Sequence, residues 1–156
     1  MDRLWAPWRK VYIVRKPTKT CFICRIRTSS RDAKNLVLKR TPHSFAVLNL
    51  FPYNNGHVMV IPNRHVSDLN RLSDNELLDL MRLTDQLICR LRKVMKPHGI
   101  NLGVNLGRAA GAGAPGHLHI HIVPRWGGDS NFMPVLAATK VISESLKSVH
   151  RRLRWK

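Results

Sequence analysis

Three histidines at alternate positions, in His117-Leu118-His119-Ile120-His121-Ile122-Val123-Pro124, constrain this chain more than any other feature. Side chains alternate faces along a strand, so the spacing predicts His117, His119 and His121 on one face and Leu118, Ile120 and Ile122 on the core face. A row of imidazoles costs stability unless each ring finds a partner. Three in register therefore point to a bound polyanion or a metal. The competing reading is a half-buried strand whose histidines are satisfied internally.

The rest of the pattern surrounds that strand with a sheet and a helix. Residues 35–39, 44–49 and 57–61 read as strands. Pro52 and Asn54-Asn55-Gly56 supply the turn between the second and third. Ser73 and Glu76 form a capping box, after which Leu77, Leu80, Met81, Thr84, Leu87, Ile88, Leu91 and Met95 recur at helical spacing until Pro97 and Gly99. Cys89, among those apolar positions, reads as a plain core thiol. Residues 100–106 and 117–123 would be the last strands, joined by a Gly/Ala-rich loop from Arg108 to Gly116. A short basic helix is expected over 143–153. The fold class is α+β: a five-stranded antiparallel sheet with one long helix against a face.

A length of 156 residues and 44% hydrophobic content fit a single domain, with 1–20 an N-terminal extension, 21–124 the core and 125–156 a tail carrying the basic helix. The chain has no secretory h-region or membrane-length apolar run, so no membrane association is expected. Three cysteines make no disulfide framework and suggest a reducing, cytoplasmic setting. The net charge of +18 is unevenly spread: residues 1–40 carry 12 Lys+Arg against 2 Asp+Glu, residues 41–116 carry 8 against 5, and residues 117–156 carry 7 against 2. Two readings follow, solvated basic ends or nonspecific contact with nucleic acid or ribosomes. Either way such a field steers phosphate-rich ligands.

An apolar strand ending in Asn49, the turn from Pro52 to Gly56-His57, then Ile61-Pro62 with His65, and finally His117-x-His119-x-His121 together resemble the histidine triad (HIT) superfamily of nucleotidyl hydrolases and transferases. The flanks, Leu4-Trp5-Ala6-Pro7-Trp8-Arg9 and Pro124 to Pro134, resemble most the bacterial subgroup related to diadenosine tetraphosphate (Ap4A) phosphorylases and its Fhit-like relatives. The resemblance implies cleavage of dinucleoside polyphosphates, by hydrolysis or phosphorolysis, through a nucleotidyl-histidine. It makes His119 the nucleophile, and His57 and His121 the ligands of the α-phosphate. Asn49 would bind the ribose hydroxyls, and Asn105 and the backbone at Gly113 the phosphate side. Many members carry Ser, Thr or Gln just before the triad; Gly113 and Ala114 stand there here, which disfavours the nucleoside phosphoramidate hydrolase branch. A purine nucleotide-binding protein with an RNA- or ribosome-associated role is the other alternative. The family's usual assembly implies a homodimer, with Trp126 to Phe132 near a nucleotide pocket.

Cys21-Phe22-Ile23-Cys24 is a second constellation. On its own Cys-x-x-Cys is a redox pair, half of a zinc site or two small core residues. A thioredoxin-like role needs a βαβ setting that the pattern does not offer. In HIT proteins with this pair, the histidine after the Ile-Pro strand and the first triad histidine complete a zinc site. That implies Cys21, Cys24, His65 and His117 around a structural Zn²⁺.

Overall fold

The computed structural model describes residues 20–131 and 140–155. Strands β1 (Val37–Arg40), β2 (Ser44–Leu48), β3 (Val58–Pro62), β4 (Gly99–Val104) and β5 (Ile120–Arg125) form one antiparallel sheet in the spatial order β1-β2-β3-β5-β4. Helices α1 (Phe22–Thr28) and α2 (Asp32–Asn35) precede it, α3 (Asp74–Met95) separates β3 from β4, and α4 (Leu146–Leu153) closes the described chain. Sheet and long helix are as the sequence predicts.

Helix α3 begins at the capping box. Ser73 Oγ accepts from the Glu76 N–H, and the Glu76 carboxylate accepts from the Ser73 N–H at 2.8 Å. Lys96, left-handed at φ 50°, ends it one residue before Pro97. Leu80, Leu83, Leu87 and Leu91, spaced three and four apart, are buried against Leu118, Ile120 and Ile122, and α4 adds Val149 and Leu153 to the same cluster. Each such leucine contributes about 1.5–3 kcal/mol by burial. On the opposite face Ile23 of α1 packs with Val37, Phe45, Val47 and Ile61. The rest of that face carries the histidines.

Several expectations need correction. The strand expected from Asn35 starts at Val37, because Asn35 closes α2 and Leu36 turns left-handed at φ 58°. Ladder pairing of the histidine segment starts at Ile120 rather than His117. Its first residues bond elsewhere, the His117 N–H to the Ala114 carbonyl (3.0 Å) and the Leu118 N–H to the Val66 carbonyl (2.6 Å). Cys89 is exposed, not a core thiol. Leu77 and Met81, expected on the buried stripe, are 40% and 48% exposed, so the apolar stripe of α3 overruns the core at its N-terminal half. The flank at 4–9 and residues 132–134 of the other flank lie outside the described residues. Among the described residues no helix is long and apolar enough to cross a membrane.

Candidate active site and metal cluster

The turn between β2 and β3 is built to hold one imidazole. Gly56 sits at φ +72°, which favours glycine, and a Cβ there would meet Met95 Sδ at 2.6 Å, so the flexible end of Met95 would also have to move. Buried Asn54 pins the turn across the sheet: its amide donates to the Pro124 carbonyl (2.9 Å) and to Asp129 Oδ2 (2.6 Å). Asp129, held far below the usual carboxylate range by the Arg125 guanidinium, also accepts from Arg125 (2.8 Å) and the Trp126 N–H (3.0 Å). The loop after β5 and the turn before β3 are thus one hydrogen-bonded unit.

His57 projects from that turn into a buried network. Its Nδ1 accepts from the Tyr53 N–H (3.0 Å) and the Asn49 amide (3.3 Å), while Asn49 Oδ1 accepts from the Phe51 N–H (3.0 Å). With Nδ1 an acceptor, the ring proton is on Nε2 and is donated to His121 Nδ1 at 2.9 Å. That in turn places the His121 proton on its Nε2. Burial, then the neighbouring His121 and His119, lower His57 to about 3, so it is neutral at physiological pH. The Tyr53 ring lies over the pair, its centroid 4.6 Å from that of His57 and 5.6 Å from that of His121.

His119 is oriented the opposite way. Its Nδ1–H donates to the His117 carbonyl at 2.8 Å, which leaves the lone pair on Nε2. Burial holds it below the ordinary histidine value, favouring the neutral ring. The rings of His119 and His121 meet edge-on, 4.8 Å between centroids. A neutral nitrogen lone pair therefore stands beside an N–H donor, the requirement for attack on an electrophile whose oxygens need stabilisation.

Cys21 caps α1 and Cys24 follows three residues later, so both thiols face the same side of the helix start. There they meet His65 and His117, and the four ligand atoms lie within 4.8 Å of one another. Sγ to Nδ1 separations are 3.5 Å for Cys21–His117, 3.3 Å for Cys24–His65 and 3.6 Å for Cys24–His117. Tetrahedral zinc with ordinary Zn–S and Zn–N bonds requires about 3.6 Å between such atoms. His117 Nε2–H donates to the Pro62 carbonyl (2.9 Å), turning its Nδ1 lone pair toward the thiols. The residues fit a divalent, thiolate-preferring metal.

The fold thus brings His57, His119 and His121 together, with Asn49 bonded to His57, and collects the four metal-type residues beside them. The β4–β5 ladder ends at the Val104–Ile120 pair, so Asn105 stands directly after β4, next to the end of the histidine segment's pairing. Gly113 lies in the loop leading to the triad, and Ala114 packs under β1–β3 rather than into the network. Sequence reasoning missed Tyr53, Asn54 and Asp129. The Asn-Asn-Gly turn was the only signal for the first two, and Asp129 was read only as part of the Trp126 to Phe132 flank.

Sheet, triad and Cys/His cluster define the class, and a HIT domain profile matches residues 30–128. The chain belongs to the histidine triad family. It is 42% identical over 166 aligned residues to the AP-4-A phosphorylase of Mycobacterium tuberculosis, an alignment covering 98% of this chain and 83% of that protein. It is 40% identical over 89 residues to the asymmetrical bis(5'-nucleosyl)-tetraphosphatase of Schizosaccharomyces pombe, 57% of this chain and 48% of that one. Among solved structures, a Zn-bound histidine triad family protein from Mycobacterium smegmatis superposes with a TM-score of 0.69 at 25% identity, covering 86% of this chain and 91% of the other.

Proposed function

We propose that this protein is an enzyme that cleaves dinucleoside polyphosphates of the Ap4A type. The observation that carries this reading is the split of tautomers: the lone pair of His119 is on Nε2, next to an Nε2–H donor on His121 that is fixed through His57. His119 Nε2 attacks the α-phosphorus in line, an N–P bond forms, and the P–O bond to the polyphosphate leaving group breaks. The positive charge on the nucleotidyl-imidazolium is eased by the His117 carbonyl on Nδ1–H. His121, backed by His57, donates to the equatorial oxygens as charge develops. Water or inorganic phosphate then displaces the imidazole and releases the nucleotide.

Asn49 is assigned to the ribose hydroxyls, Asn105 and the Gly113 backbone to the phosphates beyond the scissile bond. Leu50 and Phe51, 58% and 45% exposed beside Asn49, offer an apolar surface to the base. Cys21, Cys24, His65 and His117 are assigned to a structural Zn²⁺ that ties α1 to the triad. Its role would be to hold His117, whose carbonyl in turn holds the nucleophile. The active assembly is a homodimer, and the free thiols suit a cytoplasmic setting. The phosphoramidate reading is disfavoured, since Gly113 and Ala114 offer no hydroxyl to protonate an amine.

Product analysis tests the reaction. Ap4A incubated without phosphate should give AMP and ATP, and with phosphate ADP and ATP. An enzyme that leaves Ap4A intact in both, while holding its metal and fold, would overturn the reading.

A further inference from the structure

Basic residues that the sequence divides between its centre and its tail converge on the face opposite the histidines. From Arg82 to Lys96 stand five cations against one carboxylate, Asp85; from Leu146 to Trp155 stand four against none. Helix α4 packs on α3 through Val149 and Leu153. Arginines lock the two helix ends together. Arg90 donates to the carbonyls of Arg152 (2.9 Å), Leu153 (3.2 Å) and Arg154 (3.1 Å), and Arg152 donates to that of Val94 (2.8 Å). Each supplies charge to the carbonyl end of the other helix. The remaining cations, among them Arg82, Lys93, Lys96, Arg151 and Arg154, are exposed.

An open groove of about 310 Å³ lies on this face, lined by Trp155, Lys39, Arg90, Lys93 and Cys89, with Gln86 and the single carboxylate of Asp85 completing it. Lys39 Nζ stands 4.9 Å and the Arg90 guanidinium 5.7 Å from the Trp155 ring centroid. An indole framed by Lys39 and Arg90, with the exposed cations Lys93, Arg151 and Arg154 on the same helix pair, is the chemistry that takes a base by stacking and its phosphates by charge. This charge is also misplaced for guiding substrate to the triad, because the sheet stands between.

We propose that the α3–α4 face binds single-stranded nucleic acid, one base against Trp155 and the adjoining phosphates on Lys93, Arg151 and their neighbours. A groove of this size admits a base but not a duplex. The strand and a nucleotide at the triad occupy opposite sides of the sheet, so both bind at once. This binding is separate from the dinucleotide chemistry and is read without turnover.

The test is fluorescence anisotropy of a labelled oligouridylate of about 15 nucleotides on the full chain across a salt series. Log affinity should fall with log salt by about 0.7 per phosphate neutralised. The double variant Lys93→Glu/Arg151→Glu should weaken binding at least about tenfold and flatten that slope, with Ap4A cleavage and Tm unchanged. An abasic strand should bind more weakly than oligouridylate, and Trp155→Ala should erase the difference. Wild-type affinity in the double variant, displacement of the strand by Ap4A, or equal binding of a duplex would each overturn the proposal.

Discussion

His117 faces two tasks through different atoms. Its imidazole belongs to the Cys/His cluster, and its carbonyl accepts the His119 Nδ1–H. His119, the proposed nucleophile, therefore takes its tautomer from the backbone carbonyl of a residue whose side chain is held in the Cys/His cluster. His119→Ala should lower turnover of Ap4A at least about a thousandfold without changing Tm, and imidazole should restore activity to His119→Gly. His57→Ala and His121→Ala should lose less, about 100-fold to 1000-fold, as expected for donors that stabilise charge. Near wild-type kcat in His119→Ala would refute the assignment.

His57 also makes a prediction about stability. Its pKa is about 3 in the folded chain, whereas an unfolded histidine titrates near 6.5. Between those values the unfolded chain binds more protons, so folding stability contributed by a neutral His57 is full above pH ~6.5 and is lost as pH falls toward ~3. His57→Gln should flatten this acid limb by up to about 1.4 kcal/mol per pH unit in urea titrations. An unchanged limb would mean that His57 is not held neutral.

At the scale of elements, legibility followed locality. The histidine alternation and the capping box are written within a few residues, and both reappear as a two-faced strand and a helix starting after Ser73. Helices α1 and α2 were not read from the sequence. They are 7 and 4 residues long, too short to form on propensity alone. What holds α1 is tertiary: Ile23 in the second cluster and Cys21 and Cys24 against His65 and His117. The bond of Leu118 N–H to Val66, which delays strand pairing, likewise joins distant segments. The bonds that Asn54 and Asp129 make across the fold were illegible for the same reason, although the turn and the flank that hold them were read. The Cys/His foursome came from family resemblance, its compactness from the structure.

Metal analysis checks α1's anchor. Protein purified without added metal should carry about one Zn²⁺ per chain. Cys21→Ser and His65→Ala should lose it and destabilise the fold by about 2–4 kcal/mol, the linkage expected for a ligand held well above its Kd. A metal-free, fully stable and fully active preparation would dismiss the site.

For the whole molecule, charge decides how copies of the chain can meet. Strand β4 is an edge of the sheet, with Leu102 49% exposed on it and Leu106 44% exposed just beyond. Unpaired apolar edges invite another strand, and a two-fold axis is the commonest way to satisfy both copies at once. Leu77, Leu78 and Met81, each at least 40% exposed on α3, offer further apolar surface. Against association stands a net charge of +18 on each chain. The fold reduces that repulsion by placing Lys39, Trp155 and the basic groove beside β1, the opposite edge of the sheet from β4. Pairing through β4 therefore brings apolar edges together and keeps the groove lined by Lys39 and Trp155 at the far edge. Light scattering at micromolar concentration and moderate salt should report a dimer. Leu102→Lys, which sets like charges near the two-fold, should raise the dimer Kd at least about tenfold without altering the monomer's helix content. A wild-type monomer under those conditions would exclude the pairing.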